Sequence, residues 1–336
     1  MLPHTHHGYV SNYTLSTSIC HQPHLQGLHG AFIEPVSVKW SGHLFPIFGG
    51  SKLAENSEIL LPAVMYYKPD PRFTTSVRQP WERKTDTLMW RGVASGGRNK
   101  VNNWKGFHRH RMVSMLNGTQ ALLLPDNSGF IDIASLPLEA YNLSTLSASK
   151  SVPANVALGT WLESFSDVAF TEMHCWPLDK TGTCSYSSYL FSNAKTITLS
   201  KYHKHKYLID VDGNSFSGRY RDFLLSGSVP IKATLFQEWH DSRFIAWKHF
   251  APIDNTYLDI YGVLEFFLGG WDGVGKGREG GRDGLARRIA EQGKEWAEKV
   301  IRKEDMMVYV YRLLLEYARV VDDERERLGW VGDLRS

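Results

Sequence analysis

Three features of this sequence predict an α/β fold built on parallel strands. Residues 87–90, Thr-Leu-Met-Trp, read as a buried strand that runs into the glycine-rich turn 91–98 and then into a helix over 104–116. Residues 206–211 begin the same order again: an apolar strand, a glycine turn, and a helical stretch over 218–225. Between the two units lies a further apolar run, Asp167-Val168-Ala169-Phe170. Repeated strand, turn and helix argue for parallel strands, and ligands in such folds sit at the carboxyl ends of the strands.

Taken in order, residues 1–30 are rich in His, Ser, Thr and Gly without a sustained period, and a poorly ordered beginning is expected there, with the fold starting near Gly30. Over 44–67 the apolar runs Leu44-Phe45-Pro46-Ile47-Phe48 and Ile59-Leu60-Leu61 alternate with turn residues such as Gly49-Gly50, and Pro69-Asp70-Pro71 follows, which suggests strands and loops. Residues 271–284 read as a flexible, glycine-rich, charged loop. Two helices come after it. Leu285, Ile289, Trp296 and Val300 recur at helical spacing in the first, and Met306, Val310, Leu313, Leu314, Tyr317 and Val321 in the second, so each is expected to cover a core face.

The chain has 336 residues, 42% of them hydrophobic and 22% charged, the composition of a compact globular enzyme with room for two domains. A net charge of +3 is too small to imply nucleic acid, whereas an anionic small molecule fits it. No apolar stretch is long enough for a membrane helix, because residues 257–271 are interrupted by Asp259, Glu265 and glycines. The first thirty residues lack the apolar centre of a signal peptide. Three glycosylation sequons begin at Asn12, Asn117 and Asn142, usable only in a lumenal compartment. Of three cysteines, Cys175 and Cys184 lie nine apart, a spacing that suits a loop-closing disulfide and two free thiols equally. His174 beside Cys175, without a second Cys-x-x-Cys, does not make a zinc site.

The stretch 207–232 is suited to a phosphorylated nucleotide. Gly213 and Gly218 let backbone approach a ligand, Ser215 and Ser217 offer hydroxyls, and the following helix start presents free N–H groups to an anion. Arg219 adds a cationic fork for a diphosphate, or else is a helix-surface arginine. The turn 91–98 makes a second offer, with Arg91 and Arg98 flanking Gly92, Ser95, Gly96 and Gly97, and Arg109 and Arg111 following on the helix. By themselves, these basic residues interleaved with Trp90, Trp104 and Phe107 also suit a nucleic-acid patch or a solvated helix face.

Trp90-Arg91-Gly92 with its glycine turn and His-Arg-His-Arg helix, followed by Asp210-Val-Asp-Gly-Asn-Ser-Phe-Ser-Gly-Arg219, resembles glycosyltransferase family 90. That family holds the fungal capsule-associated proteins and the animal, Rumi-like protein O-glucosyltransferases. The turn Leu225-Ser226-Gly227-Ser228, Lys232, Glu238-Trp239 and Trp247-Lys248-His249-Phe250-Ala251-Pro252 continue the pattern in order, and the C-terminal helices with Gly329-Trp330 look closest to fungal members. The resemblance implies a GT-B arrangement: two Rossmann-like domains facing across a cleft, the N-terminal one incomplete. On that basis residues 1–30 precede the fold, 31–85 are the rest of an acceptor-side domain, 86–270 the donor-binding domain, and 271–336 a loop and helices packing back.

The resemblance further implies an inverting transfer of glucose or xylose from a UDP-sugar to a hydroxyl of a glycan or protein. It needs no metal or other cofactor and no nucleic acid, and runs in the Golgi or endoplasmic reticulum lumen, with a membrane reached only through an anchor this chain does not carry. Arg91, Gly92, Ser95, Gly96, Asp212, Gly213, Asn214, Ser215, Phe216, Ser217, Arg219 and Glu238 are then expected at the donor. Arg91 and Arg219 would meet the diphosphate. The family's base is an aspartate expected at or upstream of the start of this chain, and no aspartate precedes Asp70. Glu34 stands at a comparable place without a family motif around it. The alternative is a sugar-nucleotide- or glycan-binding member that no longer turns over. Asp210-Val211-Asp212 also spells the Asp-x-Asp that holds Mn²⁺ in other transferases; here, at the end of a strand, a structural or ribose-contacting role is expected.

Overall fold

The computed structural model describes residues 4–36, 45–67, 79–123, 152–177, 184–187, 190–274 and 276–328. Its centre is a sheet of five strands, β1 (Thr85–Val93), β2 (Ser166–Glu172), β3 (His205–Val211), β4 (Val229–Ala233) and β5 (Ala251–Pro252), all paired in parallel. Their spatial order is β2-β1-β3-β4-β5. The chain moves outward from β1 to β2 and then crosses back to β3, so the carboxyl ends of β1 and β3 flank the point where the winding reverses. Such a point opens a crevice that ligands use.

Alternation along the strands feeds two cores. Leu88, Trp90, Tyr207, Ile209 and Val211 join one large buried cluster. That cluster includes side chains from α1 (His108–Leu116), α3 (Ala154–Glu163), α5 (Ile260–Leu268) and the start of α6 (Asp283–Val300); α2 (Gly118–Leu123) adds Ala121. Met89 and Leu208 point the other way, to Leu199, Tyr202 and Phe223, the last from α4 (Tyr220–Leu225). A parallel sheet needs cover on both faces, and the near-continuous burial of β3 reflects it. Both strand, turn and helix units expected from the sequence are present, with residues 104–106 forming a separate 3-10 turn ahead of α1.

Residues 4–30 do not form a loose beginning; they are tied to distant parts of the chain. The buried His4 imidazole meets Asp254 at 2.6 Å, the Trp247 indole N–H donates to Val10 O at 2.6 Å, and Asn255 donates to Ser16 O at 3.0 Å. The packed structure therefore starts at His4 rather than near Gly30. These contacts span more than two hundred residues and leave no local period. Over 45–67 the strands are two residues long: Phe48–Gly49 pairs in parallel with Ile59–Leu60, and Lys52–Leu53 pairs with Phe236–Gln237. Among the described residues no sheet besides the central one exceeds two strands.

Two other expectations are corrected. The glycine-rich segment after residue 270 carries an antiparallel pair, Gly270–Trp271 with Arg278–Glu279. The second C-terminal helix, α7 (Lys303–Val321), buries only Met306, while Met307, Tyr311, Leu314 and Val321 stay exposed. Helical spacing of apolar residues sets a stripe, but not what covers it. Of the stripe expected in α6 only Ile289 is buried, while Leu285 and Trp296 are exposed; the helix instead buries Ala286, Ala290, Gly293 and Ala297, a row of small residues that lets it lie close to α4 and β4. Cys175 and Cys184 are joined in a disulfide, which decides between the two readings of their spacing, and Cys20 is free and exposed. Leu44, the segment Pro69-Asp70-Pro71, the sequon at Asn142 and Gly329-Trp330 lie outside the described residues.

Candidate functional site

Strand β1 carries Trp90-Arg91-Gly92 near its end, and the glycine explains the tryptophan. A Cβ on Gly92 would fall 2.6 Å from the Trp90 indole, so only a bare backbone lets the ring fold back there. Two guanidinium groups lie over that ring, Arg109 from α1 at 5.5 Å and Arg219 from the start of α4 at 5.6 Å. Arg109 is buried and donates to Asp212 O, Val93 O and Ser95 Oγ, joining the ends of β1 and β3. Burial, followed by the charge of Arg219, pulls its pKa down to about 10, so it stays cationic at neutral pH. Arg219 donates to Arg91 O at 2.7 Å and lies over Tyr202 and Phe223. Two like charges are thus held together at the reversal point, an arrangement that an anion would relieve.

The two glycine turns are clasped by Asn214. Its carboxamide oxygen accepts the N–H groups of Gly96 and Gly97, each at 3.0 Å. Both glycines have positive φ, +112° and +134°, and a Cβ on Gly96 would sit 2.4 Å from the His108 ring. Ser95 faces Gly213 across the gap, and Gly213 in turn abuts Arg109 Nη2. Gly213 N–H bonds to Ser215 O at 2.7 Å, closing the second turn.

Asp212 anchors that turn from below. Its carboxylate accepts the Thr234 hydroxyl and, at 2.8 Å, the Leu235 N–H, while its carbonyl takes His108 Nε2–H at 2.8 Å as well as Arg109. His29 stacks on His108 with ring centroids 3.8 Å apart and reaches the Asp212 carboxylate at 3.4 Å. Burial, then Arg111 and Arg109, lower the His29 pKa to about 3; burial, then His29, hold His108 well below its usual value. Both rings are neutral, and each accepts a backbone N–H on Nδ1, from Ala31 and Gly30 respectively. Burial raises Asp212 to about 6.

Behind the second turn, Phe216 packs edge-on to Tyr66, and the Tyr66 hydroxyl donates to Glu238 at 2.8 Å and approaches Ser217 O at 3.3 Å. Glu238 is buried, and burial raises its carboxyl to about 7. One oxygen of Glu238, the Ser217 hydroxyl and the Tyr220 hydroxyl lack partners among the described residues, an unusual concentration of buried polar atoms. Gly218 admits the Met65 sulfur, which a Cβ would meet at 2.0 Å.

Three expected residues stand differently from their neighbours. The Arg91 guanidinium is held at Asp167 on β2, through its carboxylate and carbonyl, and at Trp90 O. Glu34 lies at the edge of the first turn, where its carbonyl accepts Arg98 N–H at 2.8 Å, but its carboxylate is paired with Lys100 at 2.5 Å and with Asn103 at 3.3 Å. The Asp-x-Asp carboxylates are both engaged, Asp210 with Lys232 at 2.8 Å and Asp212 as above. Every residue of α1 is buried, so its His-Arg-His-Arg run is not a solvated basic face. Arg111 instead lies over Tyr257 and donates to Thr256 O. Tyr66, Tyr202 and His29 complete the arrangement from segments in which no motif marked them.

The model of glycosyl transferase family 90 matches residues 190–327. Protein O-glucosyltransferase 1 of Rattus norvegicus is 26% identical over 307 residues, covering 85% of this chain and 60% of its own length. Protein O-glucosyltransferase 3 of the same species is 27% identical over 126 residues, 37% of this chain and 22% of that protein. The O-glucosyltransferase rumi homolog of Aedes aegypti is 27% identical over 137 residues, 40% of this chain and 31% of its own. All three are animal proteins, and a particular likeness to fungal members is not shown. This chain therefore spans 60% of the first relative's length and less of the other two. Residues 205–225, which carry β3, the Asn214 clasp and Arg219, fall inside the segment that matches glycosyl transferase family 90, and the chain resembles that family and its protein O-glucosyltransferases.

Proposed function

We propose that this chain binds a UDP-sugar at the reversal point of its sheet and transfers the sugar, glucose or xylose, to a hydroxyl of a glycan or protein. The carrying observation is the pair Arg109 and Arg219 over Trp90, two cations placed beside strand ends and two glycine turns, where the charge of a diphosphate would be met. In an inverting transfer the acceptor oxygen attacks the anomeric carbon while its proton passes to a carboxylate. The bond from that carbon to the diphosphate breaks, and the arginines stabilise the charge that develops on the departing UDP. With Asp210 and Asp212 occupied, that stabilisation falls to the arginines and not to a metal. The names of the relatives, protein O-glucosyltransferases, support glucose and a protein hydroxyl. The disulfide supports an oxidising lumen. No helix among the described residues is long and apolar enough to cross a membrane.

A second reading, a sugar-nucleotide-binding protein without turnover, is favoured by Glu34, whose carboxylate is held by Lys100 and Asn103. A panel of UDP-sugars, followed by calorimetry for binding and by release of UDP for turnover, separates the two. Binding with hydrolysis or transfer supports the first reading, binding alone the second, and no binding of any UDP-sugar rejects both.

A further inference from the structure

Beside the first glycine turn lies a cavity of about 1350 Å³ between residues 19–35 and 101–106. It exceeds the roughly 300–1,000 Å³ of an ordinary small-molecule pocket, leaving space for an extended ligand. Its lining mixes polar and apolar groups, with one cation, Lys105. Gln26, Asn102 and Asn103 line it with carboxamides and Pro23 and Phe32 with apolar surface. The Gln26 and Asn102 side chains are exposed and make no hydrogen bond to another described residue, so four donors and two acceptors face outward unspent. Asn103 connects the wall to the site already described: it donates to Glu34 and to Arg98 O, and the neighbouring Gly97 N–H is the one that Asn214 clasps.

Carboxamides that both donate and accept, set among apolar surfaces, complement a ring that carries hydroxyls on its edge and C–H groups on its faces. We propose that this cavity binds a saccharide of two or more rings. Its being the acceptor of the transfer rests on the reading given above; its binding a saccharide does not.

Cys20 provides a local reporter, because it is exposed, lines the cavity, and is the free cysteine while Cys175 and Cys184 are bonded to each other. A hydrogen bond to Glu55 holds its thiol above the usual cysteine range, so alkylation by iodoacetamide is slow and best followed at mildly alkaline pH. Cellobiose, maltose and xylobiose are the probes, with glycerol as a control for viscosity. At about ten times Kd, mass action slows alkylation roughly tenfold. At least one disaccharide is expected to do so saturably, and the double variant Gln26→Ala, Asn102→Ala is expected to lose the protection while reacting at the unprotected rate. If no disaccharide slows the reaction more than glycerol does, or if the double variant is protected equally well, the proposal fails. A parallel titration with UDP keeps the two readings apart. Protection without UDP binding removes the donor site and leaves the cavity; UDP binding without protection does the reverse.

Discussion

Arg109 and Arg219 share one aromatic platform: their guanidinium groups lie 5.5 and 5.6 Å from the centre of the Trp90 ring, at the point where the order of the sheet reverses. One arrives on the helix after the first strand and the other at the start of the helix after the third. Removing either should therefore weaken the diphosphate binding proposed for this point. Arg219→Ala is expected to weaken UDP binding by about 10- to 100-fold, as for loss of a charge-assisted hydrogen bond of roughly 1.5–3 kcal/mol. Because Arg219 is only partly buried, its far-ultraviolet dichroism should remain that of the native chain. Calorimetry showing unchanged affinity would remove Arg219 from the site.

Asn214 is a brace between two turns before it is anything else. Asn214→Ala leaves the N–H groups of Gly96 and Gly97 to water, and a loss of about 1 kcal/mol in urea denaturation is expected. Asn214→Asp keeps the acceptor and should recover most of that stability. A substitution to Ala that left both stability and UDP affinity untouched would show that the clasp does not hold the turns.

Glu238 makes a prediction about pH. Burial raises its folded-state pKa to about 7, above that of an unfolded glutamate, so the native state holds a proton that the unfolded chain has released. Its contribution is then present in full below the unfolded value and is lost as pH rises from about 4 to 7. Asp212, raised to about 6 by burial, acts in the same direction. Glu238→Gln removes the first effect. The variant should gain on the parent by an amount on the order of 1–3 kcal/mol between pH 4 and 8. A constant difference between the two proteins over that range would contradict the raised pKa.

The places of the two aspartates set an expectation about metal. With Asp210 on Lys232, and Asp212 on Thr234 and Leu235, affinity for UDP is expected to be the same in a chelator and in Mn²⁺. Affinity that vanished with the chelator and returned with Mn²⁺ would assign Asp210 and Asp212 to a metal.

Much of this was readable along the chain. The strand, turn and helix units that begin at residues 87 and 206 announce parallel strands, and their glycines mark where backbone must come close, because these preferences act within ten or so residues. The family pattern likewise consists of short runs in order. What local preference does not contain is the partner of each side chain. Gln-, Asn- and Asp-rich turns look alike whether they face a ligand or one another; here Asn214 faces Gly96 and Gly97, and Asp212 faces Thr234. Arg91 and Arg109 were both plausible cations, and packing sent the first to Asp167 and the second to the turn.

The sequence by itself determined the α/β class, the two glycine turns, the helix cations and the resemblance to glycosyltransferase family 90. Only the tertiary structure decided that residues 4–30 are tied down through His4 and Asp254, that the apolar stripe of α7 is left uncovered among the described residues, and that Glu34 is held by Lys100. The reason is the range of the forces involved. Periodicity and turn propensity are written into neighbouring residues, whereas burial and ion pairing are settled between segments that meet only when the chain has folded.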